Sequence, residues 1–475
     1  MQDPVVIQRS IGSSPDSNTL SETTVAAAAS SYESTNSTMS DPVKSYNKIR
    51  RQGSRSSVLA KQADTDAGMS SWVRHKKHFF ILSSAGKPIW TRYGDESRIS
   101  TLMGVIQAII SFFQDQDDMI KSMNAGRHKY VFLHKDPLYY VTVSKTGESD
   151  GQLRDQLLYL HNQILSVLTS VQLTRIFEQR VNFDLRRLLG GTEVFLDSLS
   201  TLFSQDHGFM LCALQCLRLS RVVRDQLGSI FSSGGKVKGL LYAMIVAKGQ
   251  LVTLLRPRKH SLHPADLHLL FNMLTGSTTF DLAESWTPLC LPKFNSKGFL
   301  HAYICYIAPD VSIVMISTDK DRFFDMSEWK STLVETMKAR NVLDSVIEAS
   351  EKHYTVDDVG APGLLHFLYK SKTHVQFTCP NFSGPYTNNS GNRKRLHRLY
   401  HYAYDRMHCR ARPMKLYYHE ADKEILLGWI TSSFEVYVVF TPDTPKSSII
   451  SSSNQLLRWI KRNEENLFIV NSPVF

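Results

Sequence analysis

No stretch of this 475-residue chain reaches the roughly 18 to 20 uninterrupted apolar residues that a bilayer span requires. The longest candidate, Leu102 to Phe113, is too short and carries Gln107, so a membrane-spanning helix is not expected. Met1 to Ser10 lacks the apolar segment of a secretory signal. Cysteine is scarce. The six, at positions 212, 216, 290, 305, 379 and 409, mostly fall in apolar strands or helices, the pattern of reduced buried thiols in a cytosolic compartment rather than of a disulfide framework. Cys212 and Cys216 have no second pair and no histidine cluster beside them, which excludes the usual four-ligand zinc arrangement.

Catalytic signatures are also missing. Gly234-Gly235-Lys236-Val237 lacks the first glycine and the magnesium-binding hydroxyl of a phosphate-binding loop. No GxSxG elbow is present to carry a serine nucleophile. His419-Glu420 begins like a zinc-protease helix, but position 423 is lysine, so the second ligand is absent. His397 and His401 share a helix face, yet Lys394, Arg398 and Arg412 on or near it would repel a divalent ion. Neither an enzyme of covalent chemistry, nor a cofactor, nor a metal is expected.

What the sequence does have is length, ordinary hydrophobicity and positive charge. At 475 residues it exceeds the size at which one core keeps growing, so two to four domains are expected. Hydrophobic residues make up 42% and charged residues 21%, as in soluble globular protein. The net charge of +11 implies attraction to something anionic, whether nucleic acid, phospholipid headgroups or an acidic partner. Nucleic acid is disfavoured because the tyrosines fall mostly at strand or helix-face positions rather than among exposed arginines.

One order of elements recurs three times: two strands, a helix, three strands, then one or two helices. Residues 1–71, rich in Ser, Thr, Asp and Ala, precede the first copy and read as a disordered tail. Serines beside Arg50, Arg51 and Arg55 make that tail a candidate phosphorylated regulatory arm, though a passive tail fits equally. The first copy, 72–205, opens with the apolar hairpin His78 to Thr91 and a helix from Ser97 whose apolar residues cover nearly its whole circumference. Such a helix must be covered on two sides: one can be its own sheet, the other is a candidate contact with a second domain or subunit, and burial wholly within this chain is the alternative. The second copy, 206–355, contains a tight Lys248-Gly249-Gln250 hairpin. The third, 356–475, contains the most basic helix of the chain. Around its apolar stripe of Leu396, Leu399, Tyr400, Ala403 and Met407 stand Arg393, Lys394, Arg395, Arg398 and Arg406, an anionic-lipid-binding candidate at about 1 kcal/mol per cation. A solvated basic face without a partner accounts for the same residues. The fold class is thus α/β (α+β), three small, mostly antiparallel sheets flanked by helices.

The run His78-Phe79-Phe80-Ile81-Leu82-Ser83-Ser84-Ala85-Gly86-Lys87-Pro88-Ile89-Trp90, with Leu189-Gly190-Gly191-Thr192-Glu193 and Leu467-Phe468-Ile469, resembles the SAND/Mon family of vacuolar and late-endosomal fusion proteins over about residues 72–475. That resemblance implies three longin domains and a heterodimer with a longin subunit of the Ccz type. It further implies that the pair is the guanine nucleotide exchange factor for the late-endosomal Rab GTPase, in animals with a third, propeller-bearing subunit. The early-endosomal Rab would act upstream as recruiter, and the complex would serve endosome maturation, vacuole fusion and autophagosome delivery. Recruitment from the cytoplasm to an anionic, phosphoinositide-bearing surface of endosomes, late endosomes, lysosomes or vacuoles follows. The candidates for the Rab or partner interface are Leu82, Ser83, Trp90, Ile106, Ile110 and Asn162. A tether or adaptor that never alters a nucleotide state is the alternative.

Overall fold

The computed structural model describes residues 6–8, 74–94, 100–180, 183–233, 237–276 and 284–474. Three separate sheets organise the chain. The first joins β1 (Val6–Gln8), β2 (Lys77–Ser83), β3 (Pro88–Thr91), β4 (Ser122–Ala125), β5 (His128–Lys135) and β6 (Leu138–Ser144) in the order β1-β4-β5-β6-β2-β3. Apart from the β1 backbone, which pairs antiparallel with β4, the tail read from composition lies outside the described residues.

Side chains of β2 alternate. Phe80 and Leu82 meet α1 (Ser100–Gln114), whereas Phe79 and Ile81 meet α2 (Asp150–Val167) on the opposite face. A strand covered on both faces reads as a continuous apolar run, which is why His78 to Leu82 shows no polar alternation. The long helix α2 begins with a capping box in which Ser149 and Gln152 satisfy each other's backbone. Helices α3 (Ser170–Gln179), α4 (Arg186–Leu189) and α5 (Glu193–Leu202) complete this layer.

A connection through α6 (His207–Leu211), β7 (Leu214–Gln215) and α7 (Arg221–Ser233) leads to the second sheet. Its strands β8 (Leu240–Ala247), β9 (Gln250–Leu255), β10 (Ser285–Leu291), β11 (Ser296–Ala308) and β12 (Val311–Ser317) run in the order β10-β11-β12-β8-β9, all antiparallel. Lys248 and Gly249 both take positive φ, 47° and 75°, as a two-residue hairpin compatible with strand twist demands. One face packs on α8 (Pro264–Gly276), beside the short α9 (Pro292–Asn295). The other is covered by α7, α10 (Phe323–Ala339) and α11 (Val342–Glu351), through Leu227, Ile230, Phe231, Trp329, Leu333 and Val346.

The third sheet contains β13 (Leu364–Ser371), β14 (Gln376–Thr378), β15 (Leu416–Glu420), β16 (Ile425–Ile430) and β17 (Phe434–Phe440), in the order β15-β16-β17-β13-β14-β7. Helix α12 (Ser390–Met407) covers one face. Helices α13 (Lys446–Arg462) and α14 (Glu464–Leu467) cover the other.

Two readings need correction. The apolar stretch Ala213 to Leu219 predicts a strand, but only β7 forms there, and it pairs parallel with β14 and so belongs to the third sheet. Helical segments are predicted over roughly 172–189 and 191–204, but the first is not one helix: α3 ends at Gln179 and α4 starts at Arg186.

The sheets share their inner layers. Helix α2 is buried on nearly all sides because it packs its own sheet, β10 and α8 at once. Tyr159 bonds His268 at 3.0 Å, the Asn272 amide donates to Gln163 Oε1 at 3.0 Å, and Gln152 donates to the His401 carbonyl at 2.9 Å. Three units are thereby joined by buried polar contacts, where each lost partner leaves an unsatisfied group.

Candidate interaction surfaces

Helix α1 carries no Asp, Glu, Lys or Arg. Met103, Ile106, Ile110 and Phe113 face its sheet and are buried. On the far side Val105 is 53% and Phe112 57% exposed, with Ala108 exposed between them and Ile109 half-buried. Positions 105, 108, 109 and 112 are spaced three and four apart, so they form one stripe. Met119, 54% exposed, lies just beyond the helix. An uncharged helix with an apolar stripe on each side has the composition of an internal element, yet one stripe stands in solvent.

The interface candidates taken from sequence fall elsewhere. Leu82, Trp90, Ile106 and Ile110 are buried in the first unit's own core, and Asn162 is buried on α2. Ser83 builds the β2–β3 turn: its Oγ accepts the Lys87 N–H at 3.1 Å and its N–H donates to the Lys87 carbonyl at 2.9 Å. All six therefore shape the frame and present no surface in this conformation. Of the six, Ile106 and Ile110 lie on α1, on its buried face. Val105 and Phe112 are the exposed large apolar residues of that helix.

On α12 the expected division holds for most residues. Leu396, Tyr400, Ala403 and Met407 are buried against the third sheet, and Arg393, Lys394, Arg398 and Arg406 are exposed. Arg406 lies over the Tyr402 ring at 5.2 Å, and Arg393 over Phe382 at 5.7 Å. Arg395 is the exception. Its Nε contacts both oxygens of the buried Glu424 at 3.1 Å, its Nη1 donates to Asn392 Oδ1 at 2.7 Å, and Tyr386 donates to the same carboxylate. Arg395 is thus committed to an internal ion pair and is removed from the lipid-facing set.

His397 and His401 turn inward, with their Nε2 atoms 3.0 Å apart. Burial, then the neighbouring His397, pushes His401 down to about 3, so the contact is one neutral ring donating to the other. Among the described residues no group of three or more His, Cys, Asp or Glu is arranged to hold a metal. The basic cluster at 74–78 also turns partly inward. His78 is buried, and Lys77 bonds Glu148 Oε1 at 2.8 Å and Gln156 Oε1 at 3.1 Å. Burial works to raise the Glu148 carboxyl, but the Lys77 ammonium and its hydrogen bonds outweigh it and hold the group at about 2.

These buried groups set an acid limit. Burial lowers His268 and His366 to about 4, while in the unfolded chain they return to about 6.5, as does His401. The unfolded state binds more protons between those values, so stability falls as pH drops from about 6.5 to about 4. The Glu148 contribution is present above about 4.5 and is lost toward about 2. Thermal unfolding between pH 7.5 and 4.5 should show a falling midpoint that starts near pH 6.5. A flat profile over that range would contradict the neutral buried histidines.

A chain of three small, mostly antiparallel sheets, each layered between helices, is a tandem longin protein. Family models for the first, second and third longin domains of FUZ, MON1 and HPS1 match residues 77–199, 238–335 and 363–464. The chain is 41% identical over 422 residues to vacuolar fusion protein MON1 homolog A of Gallus gallus, covering 88% of this chain and 76% of that one. It is 41% identical over 418 residues to protein SAND of Takifugu rubripes, with 87% and 80% covered. It is 42% identical over 403 residues to vacuolar fusion protein MON1 of Cryptococcus neoformans, with 84% and 65% covered. The chain belongs to the Mon1/SAND family of vacuolar fusion proteins. Among the described residues no helix is long and apolar enough to cross a membrane.

Proposed function

We propose that this chain is one subunit of a heteromeric guanine nucleotide exchange factor that activates the late-endosomal Rab GTPase, with a Ccz-type longin protein as its companion. The observation that carries this reading is the exposed stripe of α1: a longin unit that leaves an uncharged helix half bare lacks a neighbour of similar kind. An exchange factor needs no nucleophile. A small GTPase holds GDP with roughly 12 to 16 kcal/mol, and a protein that binds the emptied form more tightly weakens nucleotide affinity by the same factor. Displacing the switch loop that closes over the phosphates is a sufficient route. The exposed cations of α12 support peripheral recruitment to phosphoinositide-bearing endosomal, lysosomal or vacuolar membrane, worth about 1 kcal/mol each near the surface. The early-endosomal Rab is the proposed recruiter, a propeller-bearing subunit a third member, and endosome maturation, fusion and autophagosome delivery the outcome.

The test loads the Rab with fluorescent GDP and adds the purified two-subunit complex. Release should accelerate at least tenfold, and further on vesicles containing a phosphoinositide than on neutral vesicles. Release at the intrinsic rate, with assembly and membrane binding intact, would establish the tether or adaptor instead.

A further inference from the structure

In each unit the strand that follows the helix after the opening hairpin forms the rim of that unit's sheet: β4, β10 and β15. The three rims are in different states. β4 takes β1 as an added antiparallel strand, with Val6 opposite Asn124 and Gln8 opposite Ser122. β10 packs against α2 of the first unit. Among the described residues no strand pairs with β15 on its outer side. This rim lies on a different unit from α1, and its role is separate from the proposed exchange activity.

The backbone of β15 is set for pairing. The Ile430 N–H donates to the Lys415 carbonyl at 2.8 Å and the Ala421 N–H to the Glu424 carbonyl at 2.9 Å, so positions 415 and 421 bond toward β16. Antiparallel pairing alternates, which turns the N–H and C=O groups of Leu416, Tyr418 and Glu420 outward. Leu416 is 60% exposed, and an apolar side chain on an uncovered rim is where another chain adds.

The two faces beside the rim differ in chemistry. Leu416, opposite Trp429, and Tyr418 share the face that carries α13, and that face is apolar. Tyr417 and His419 share the α12 face, with the Tyr402 ring 6.3 and 5.4 Å away and the Arg406 guanidinium over Tyr402. Arg410, Arg412 and Lys415 stand exposed at the start of the strand. The strand's own carboxylate, Glu420, is already engaged by the Tyr418 hydroxyl and by Lys446 at 3.7 Å. A strand laid along β15 would therefore meet an apolar surface on one side and a cationic, aromatic one on the other.

The geometry points to β15 as the docking edge for an extended acidic segment of a partner protein, which adds to the third sheet as a further strand. Its apolar side chains lie beside Leu416 and Tyr418, and its carboxylates, at the alternate positions, face His419 and Arg406. Main-chain bonds supply affinity, and the alternation supplies specificity. The first unit uses its equivalent rim in the same way when β4 accepts β1.

Fluorescence polarisation on the full chain, in complex with its companion if the complex is the stable form, tests this with short labelled peptides. One alternates valine and glutamate, a second has lysine for glutamate, and a third has the first one's composition with valines and glutamates in separate blocks. The alternating acidic peptide should bind with a Kd below about 100 μM, and the other two about tenfold or more weakly. Leu416→Pro removes an outward N–H without breaking a bond to β16, so it should abolish binding with unchanged circular dichroism. Leu416→Glu, at an exposed position, should do the same by charge and serves if the proline disturbs the strand. No binding of the alternating peptide, equal binding of the blocked one, or undiminished binding by both variants would each overturn the assignment. Loss of anionic-vesicle binding in the Leu416 variants would also overturn it and give the rim to lipid.

Discussion

A chain carrying Val105→Asp and Phe112→Asp should fold normally and fail to assemble with a Ccz-type subunit. Both side chains are more than half exposed in the free chain, and surface substitutions of that kind change stability by about 0.5 kcal/mol or less. In a heterodimer that covers the stripe, two carboxylates would be taken out of water with no cation on α1 to meet them. Each would cost several kcal/mol, so affinity should fall by a factor of at least a hundred. Accelerated nucleotide release should disappear with it. Co-purification of tagged companion with wild-type and doubly substituted chain measures the first effect, and fluorescent-GDP release measures the second. Undiminished assembly would place the partner elsewhere and remove the observation on which the exchange reading rests.

Removal of one carboxylate should do more damage to the fold than any change on the surface. Glu148 and Lys77 are 8% and 10% exposed at their side chains, 2.6 Å apart at their closest, and Gln156 Nε2 donates to the same carboxylate at 2.6 Å. Glu148→Ala leaves the ammonium buried with only the Gln156 oxygen, and breaking a buried pair from one side costs about 3 to 5 kcal/mol. The predicted result is a large loss in the denaturant midpoint with an unchanged slope. Lys77→Met combined with Glu148→Leu should recover most of the loss, because that pair of substitutions removes both charges at once. A double variant no better than the single one would mean that the pair stabilises through its geometry and not through mutual neutralisation.

Much of this architecture was readable beforehand because both periods are clean. A strand is legible over Phe434 to Phe440, the bounds of β17, since the segment is mostly apolar, β-branched or aromatic, and bounded by Ser433 and Pro442. The α12 stripe was placed correctly because its cations and apolar residues separate at helical spacing. Two elements were not anticipated. Strand β4 reads Ser-Met-Asn-Ala, with no β-branched or aromatic residue, and forms because Gly126, at φ 57°, and Arg127 turn it back onto His128. Helix α7 has Val223, Leu227, Ile230 and Phe231 at helical spacing, with Gly228 and serines of low helix propensity among them. The burial of the interface candidates was not legible for a different reason. Periodicity shows that a helix has two apolar sides, whereas which side meets the home sheet depends on register, and register is set by tertiary packing.

The parallel pairing of β7 with β14 brings residues 214–215 beside 376–377, across the whole second unit. Gln376 further ties β14 to the C-terminal segment, accepting the Ile469 N–H at 2.8 Å. The chain is therefore laced rather than beaded. An excised fragment of residues 363–475 would keep α12, α13 and α14 but lose the sheet's last strand, leaving β14 with a naked rim inclined to recruit any extended peptide nearby.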